Sequence, residues 1–140
     1  MAHSFFEYRG RCVRVHDLDI VVALLLFDDV LARSDGDVQG KLRRIVREWI
    51  GHLDAWGPGC IDLALDEVLD SVVSAKAMGA LIEDAQKELR SHGDEVPSDY
   101  INRRLGLVGN RALRSVSVPA MHEALVQMAS VLHADGGASP

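Results

Sequence analysis

Apolar residues recur with a helical period along most of the chain, which predicts a mainly α protein. The longest amphipathic pattern covers residues 61–91, with apolar positions at Ile61, Leu65, Val68, Leu69, Val72, Ile82 and Leu89. The most regular one covers residues 37–56, with a stripe formed by Leu42, Ile45, Val46, Trp49, Ile50, Leu53 and Trp56. We expect a long helix over each segment. The earlier helix has Asp37 as its N-cap and ends at Gly57-Pro58-Gly59, because proline cannot continue a helix.

Residues 20–27 are apolar on every side, a pattern typical of a central, buried helix. A buried strand would fit the same residues, but no turn residue occurs between Asp17 and Arg33, and this length favours a helix. Asp17 is a suitable N-cap, and Asp19 follows in the first turn, where negative charge is favourable.

The N-terminal residues have strand character instead. The runs FFEY and RCVRV flank Arg9-Gly10, and Gly10 can adopt the positive φ that a tight turn requires. This predicts a β-hairpin over residues 5–15, packed against the helices because an isolated hairpin is only marginally stable.

The C-terminal part predicts two further helices. The acidic helix ends at His92-Gly93, and Ser98 caps a short helix that ends at Leu105. For residues 107–118, a hairpin turning at Gly109-Asn110 and an irregular loop are equally compatible with the sequence. Pro119 fits the start of a last helix, with an apolar stripe at Met121, Leu125, Met128 and Leu132.

Together these elements predict a single helical domain over residues 1–134, with a small N-terminal hairpin at 5–15. Four to five helices lie within 17–133, and residues 135–140 form a flexible tail. A chain of 140 residues with 48% hydrophobic and 26% charged residues is an ordinary globular domain. At this length it buries roughly two thirds of its unfolded surface.

The distribution of charge along the chain favours a basic partner. The formal net charge is −6, whereas a generic nucleic-acid binder needs a positive field. If 61–91 is a helix, its acidic residues spaced by four form one face. We expect the partner-binding surface to contain Asp62, Asp66, Glu67, Asp70, Glu83, Asp84 and Trp56. Hydrated Mg²⁺ or Ca²⁺ at this face is disfavoured against a partner-facing or solvated role, so no metal is expected.

A basic cluster offers the second interpretation. Arg103, Arg104, Arg111 and Arg114, with Asn102 and Asn110, could contact bases or phosphates. This would make the chain a regulatory nucleic-acid-binding domain. Pairing with the acidic helix, or plain exposure, is the favoured interpretation of these arginines, so nucleic acid is an unlikely partner.

No catalytic signature accompanies these patterns. The six histidines show no zinc-binding pair, the serines do not occur in GxSxG, and no glycine-rich loop follows a strand. We therefore expect a non-enzyme without catalytic residues or cofactors. A small enzyme with an unrecognised site is the third interpretation.

The expected setting is the bacterial cytoplasm. The N-terminus lacks a signal-peptide pattern, and 20–27 is too short to cross a bilayer, so no membrane partner is expected. Arginine outnumbers lysine, which suggests a GC-rich bacterial genome. The leading hypothesis is a non-enzymatic protein–protein interaction domain, in concrete form an inhibitor or immunity-type protein that neutralises a basic, nuclease-like toxin. A homodimer is compatible with the sequence.

Cys12 and Cys60 have no spacing typical of a disulfide or metal site, and we expect both to be buried, reduced thiols. Thiol titration of the denatured protein without reductant should detect two free thiols. Detection of none would contradict this prediction and indicate a disulfide.

Overall fold

The computed structural model describes residues 3–53, 63–65, 69, 72–105 and 115–137. Within them lie five helices and five short strands. In chain order these are β1 (His3–Tyr8), β2 (Arg11–His16), α1 (Asp17–Ala32), α2 (Asp37–Gly51), β3 (Leu63–Ala64), α3 (Val72–Arg90), β4 (Glu95–Val96), α4 (Ser98–Leu105), β5 (Val116–Ser117) and α5 (Val118–Gly137). The predicted fold class, mainly α with an N-terminal hairpin, is confirmed.

A two-residue turn closes the hairpin. Arg9 has φ 51° and Gly10 has φ 79°, and positive φ at both central residues is the mark of a type I′ turn, whose twist matches that of the strands. The strands pair antiparallel from His3↔His16 to Tyr8↔Arg11. The predicted hairpin at 5–15 is therefore present and slightly longer at its open end.

Helix α1 is the centre of the core, as its all-round apolar pattern predicts. Nine of its residues are buried, and it packs against α2, α3, α4 and α5. The predicted N-cap is wrong by one position, because His16 precedes the helix and Asp17 is its first residue. The Asp17 Oδ1 instead accepts a hydrogen bond of 2.6 Å from the Ser4 hydroxyl of β1.

The predicted continuous helix over residues 61–91 is wrong in its first part. Leu63–Ala64 form β3, which runs parallel to β1 with Phe6 opposite Leu63. Helix α3 begins only at Val72. Leu63 and Leu65 are both fully buried, and a two-residue spacing is the strand period, which the helical interpretation of this segment overlooked.

Helix α2 is shorter than predicted. It begins after Gly36, with Asp37 as its first residue, and ends at Gly51. Of the predicted stripe, Leu42, Val46 and Leu53 are buried, whereas Ile45 is only partly buried. Trp56 lies outside the described residues.

The C-terminal half follows the prediction closely. Gly93, with φ 83°, accompanies the end of α3, and α4 covers Ser98–Leu105. Helix α5 has Pro119 as its second residue and continues to Gly137, so the segment 135–140, expected to be a tail, begins within this helix. Strands β4 and β5 pair antiparallel and were not predicted. Residues 106–114, where a hairpin or a loop was expected, lie outside the described residues.

The buried apolar residues form one cluster contributed by every helix and by the hairpin. Cys12 is exposed on β2 as a free thiol, so the expectation of a buried thiol is wrong there. The residue lies on the outer face of the hairpin, opposite Glu7. Cys60 lies outside the described residues.

Leu25 and Ile45 give a matched test of this core. Leu25 is 1% exposed, so Leu25→Ala should lower the free energy of unfolding by about 2–5 kcal/mol through lost burial and a cavity. Ile45→Ala should cost about 1 kcal/mol, since that side chain is partly exposed. Urea denaturation followed by circular dichroism measures both, and equal losses would contradict the placement of α1 at the centre.

Candidate functional site

The acidic character of the chain is concentrated in residues 54–71, which we call the acidic segment. It contains five carboxylates and no lysine or arginine. Removing these five from the 21 acidic residues leaves a near balance with the 15 basic ones, so this segment accounts for almost all of the net charge of −6. Its carboxylates are those of Asp54, Asp62, Asp66, Glu67 and Asp70.

Buried leucines attach the acidic segment to the core. Leu63 and Leu65 are fully buried and Leu69 is 5% exposed. The Leu69 N–H donates a hydrogen bond of 2.7 Å to the Leu65 carbonyl. Asp66 and Glu67 therefore lie, in sequence, between two points at which the chain is held by the core.

The predicted partner-binding residues fall into two groups. Glu83 and Asp84 are exposed on α3, whereas the remaining predicted residues lie outside the described ranges, so their role stays a prediction. These are Asp62, Asp66, Glu67, Asp70 and Trp56. Strand β3 interrupts the expected helix at Leu63–Ala64, within the acidic segment.

The surface of α3 around Glu83 and Asp84 is of mixed charge. The Asp84 Oδ1 lies 3.9 Å from the Lys87 Nζ, and both side chains are more than half exposed. At the next turn, the Glu88 Oε1 accepts a hydrogen bond of 2.7 Å from the Arg33 Nη2, which makes the two side chains an ion pair. Exposed ion pairs of this kind contribute little to stability, but they neutralise part of the acidic charge on α3.

A polar cluster joins the end of α1 to α4, and we call it the α1–α4 cluster. The Tyr100 hydroxyl donates to the Asp29 Oδ2 at 2.6 Å. The Arg104 guanidinium donates to the Asp29 Oδ1, to the Tyr100 hydroxyl at 3.0 Å and to the Asp28 Oδ2 at 3.1 Å. One arginine thus holds two adjacent carboxylates and the tyrosine between them.

Arg43 of α2 completes the charge balance of the cluster. Its Nε lies 3.5 Å from the Asp28 Oδ1. Both atoms are buried and neither makes a hydrogen bond, so their attraction is Coulombic. Three helices therefore meet at one pair of carboxylates, which no motif in the sequence indicated.

The cluster shifts two pKa values. Burial, followed by the hydrogen bond to Asp29 and the charge of that carboxylate, raises the pKa of Tyr100 to about 12. Burial lowers the pKa of Arg104, but the charges of Asp29 and Tyr100 and the hydrogen bonds to both together outweigh it, so the pKa of Arg104 is raised. Tyr100 is therefore a neutral hydrogen-bond donor at physiological pH, and Arg104 a permanent cation.

These contacts change the interpretation of the basic cluster. Arg104 is paired within the molecule, as favoured from the sequence, although its partners are Asp28 and Asp29 rather than the acidic helix. Arg103 is exposed beside it. Arg111 and Arg114 lie outside the described residues, as does Asn110.

Comparison of the chain with protein-family models, with curated proteins and with solved structures finds no match. Within the described ranges, no three His, Cys, Asp or Glu side chains are grouped as metal ligands would be. None of the described helices is long and apolar enough to cross a membrane.

Arg104 and Arg103 provide a matched pair of substitutions. Arg104→Ala should lower the free energy of unfolding by about 2 kcal/mol, because it removes the charged donor to the partly buried carboxylates of Asp28 and Asp29. Arg103→Ala removes the same charge from an exposed position and should change stability by less than about 0.5 kcal/mol. Denaturant unfolding distinguishes the two, and an equal effect would mean that the α1–α4 cluster contributes nothing.

Tyr100 should make stability fall at alkaline pH. Its folded pKa of about 12 exceeds the ordinary value of 10.0, so the unfolded chain loses the proton first. The stabilisation is complete below pH 10 and is lost as the pH rises through 12. Thermal unfolding across this range should show a shallower decline for Tyr100→Phe than for the parent. Parallel declines would contradict the raised pKa.

Proposed function

We propose that this is a non-enzymatic interaction protein that binds a basic protein through its acidic segment. In its concrete form, the partner is a basic, nuclease-like toxin and the chain is its cytoplasmic inhibitor. The observation that carries the proposal is the concentration of five carboxylates in residues 54–71 with no compensating cation.

Anchoring of the segment by buried leucines supports a binding role. The acidic segment is attached to the core at Leu65 and Leu69. Binding to an attached segment costs less conformational entropy than binding to a free chain, which the partner would first have to order. Uncompensated carboxylates attract a basic partner over long range and accelerate its association. They also resemble the phosphate charge that a nuclease surface recognises.

The competing nucleic-acid hypothesis has less positive charge in its favour. The guanidinium of Arg104 is engaged by Asp28 and Asp29, so one of its four arginines is already neutralised. The chain as a whole carries −6, which opposes approach to phosphates. The nucleic-acid hypothesis predicts a salt-sensitive anisotropy signal that Arg103→Glu abolishes.

The test compares two variants that lose the same charge. One carries Asp62→Asn, Asp66→Asn, Glu67→Gln and Asp70→Asn. The control carries Asp35→Asn, Glu48→Gln, Asp94→Asn and Glu123→Gln, four exposed carboxylates elsewhere on the surface. Each protein, and the parent, serves as bait for affinity capture from the source cell, with quantification of the captured proteins.

We expect the parent and the control to retain a basic protein that the acidic-segment variant loses. Its dissociation constant, measured with purified components, should rise about tenfold or more for that variant, with a difference that shrinks as salt increases. The thermal midpoint should stay unchanged or rise slightly, since like charges are removed. Equal loss of the partner by both variants would make the effect one of net charge and would refute the assigned surface.

A further inference from the structure

Within the described residues, strand β2 is an edge strand of the N-terminal sheet. The strand order is β2-β1-β3, and within the described residues no strand lies along the outer side of β2. The type I′ turn directs the Arg11 N–H to the Tyr8 carbonyl. Because antiparallel pairing alternates, the Val13 N–H also faces β1, while the N–H and C=O groups of Cys12 and Arg14 face outward.

The chemistry of this edge is basic. Strand β2 has the sequence RCVRVH, without a carboxylate, and Glu7 is the only acidic residue between His3 and His16. Arg11 and Arg14 are exposed, and no ion pair within the described part of the chain involves either. Phe5, opposite Arg14 on β1, is 42% exposed and adds an apolar surface beside the edge.

The open backbone edge and its basic side chains together favour one kind of binding partner. An open strand edge provides backbone donors and acceptors to any extended chain. A second copy of β2 would bring the arginines of two short strands together, and like charges on adjacent strands are destabilising. Arg11 and Arg14 are three positions apart and so lie on opposite faces of the strand. An extended chain with carboxylates three positions apart would place one on each face, where it would pair with both arginines while the chain completes the backbone hydrogen bonds.

We propose that the β2 edge binds an acidic peptide in an extended conformation, which adds a fourth strand to the sheet. This surface is distinct from the acidic segment and opposite to it in charge. The proposal therefore does not depend on the proposed function, and a variant of the acidic segment leaves it intact.

Amide hydrogen exchange tests the proposal residue by residue. The probe is a heptapeptide with glutamates three positions apart, as Arg11 and Arg14 are, among valines and threonines, added to the ¹⁵N-labelled full chain. In the free protein, the Cys12 and Arg14 amides should exchange rapidly, and the Val13 amide slowly. Addition of the peptide should slow exchange at Cys12 and Arg14 by about tenfold at saturation, while Val13 changes little. Unchanged exchange at Cys12 and Arg14 with excess peptide would overturn the proposal.

Two substitutions at Arg14 separate charge from backbone pairing. Arg14→Ala removes the charge and keeps the outward N–H, and should weaken binding of the labelled peptide about threefold. Arg14→Pro also removes the N–H, which does not pair with β1, and should weaken binding by a further fivefold or so. Arg103→Ala, an exposed arginine on α4, should leave binding unchanged.

Peptide variants keep the test independent of whether Arg14→Pro folds. A peptide with alternate N-methylated amides should lose binding, and one with glutamine for glutamate should bind less tightly and without salt dependence. Equal binding of the N-methylated peptide would show electrostatic attraction without strand addition and overturn the proposal. Sedimentation of the free protein tests whether a second copy of the chain occupies the edge. Self-association that Arg14→Glu abolishes would assign the edge to a second copy and overturn the proposal.

Discussion

The need to bury α1 on every side governs the architecture. A helix with apolar residues all round cannot lie at a surface, so other elements must cover each of its faces. Helices α2, α3, α4 and α5 and the hairpin all pack against it. The residues on the exposed face of each covering element are then free to be polar or charged, and the charged residues of the molecule lie on those outer faces.

Sequence-based prediction succeeded where a pattern fitted one kind of element clearly better than another. Helices α1 and α5 were identified because long apolar patterns with few breaks favour a helix over a strand. Helix α4 was identified because Ser98 and Gly106, which follows Leu105, mark its ends. Strand β3 was missed because Leu65 and Leu69, four residues apart, satisfy a helical spacing, and this concealed the strand spacing of Leu63 and Leu65. The partner that decides between them, β1, lies about sixty residues earlier in the chain, and local periodicity contains no information about it.

The ion pairs of the α1–α4 cluster could not be predicted from the sequence either. Asp28 and Asp29 marked only the end of an apolar run, and Arg104 only a member of a basic cluster. Their contact arises because α4 packs against α1, so pairing followed the fold rather than any spacing of charges. The result is that two carboxylates and two arginines form a nearly neutral α1–α4 cluster, whereas Arg11 and Arg14 of β2 have no ion pair within the described residues.

The position of Asp28 and Asp29 has a consequence for the order of folding. Carboxylates near a helix C-terminus oppose the helix dipole, and the last turn of α1 contains no basic residue to offset them. Arg104 supplies that charge from α4, more than seventy residues later. Arg43 of α2 lies beside Asp28 and emerges soon after α1. During synthesis, Asp29 therefore remains without a cationic partner until α4 has emerged from the ribosome. A fragment that stops before Ser98 would contain the whole of the central helix and Arg43, and would still lack the cation that pairs with Asp29.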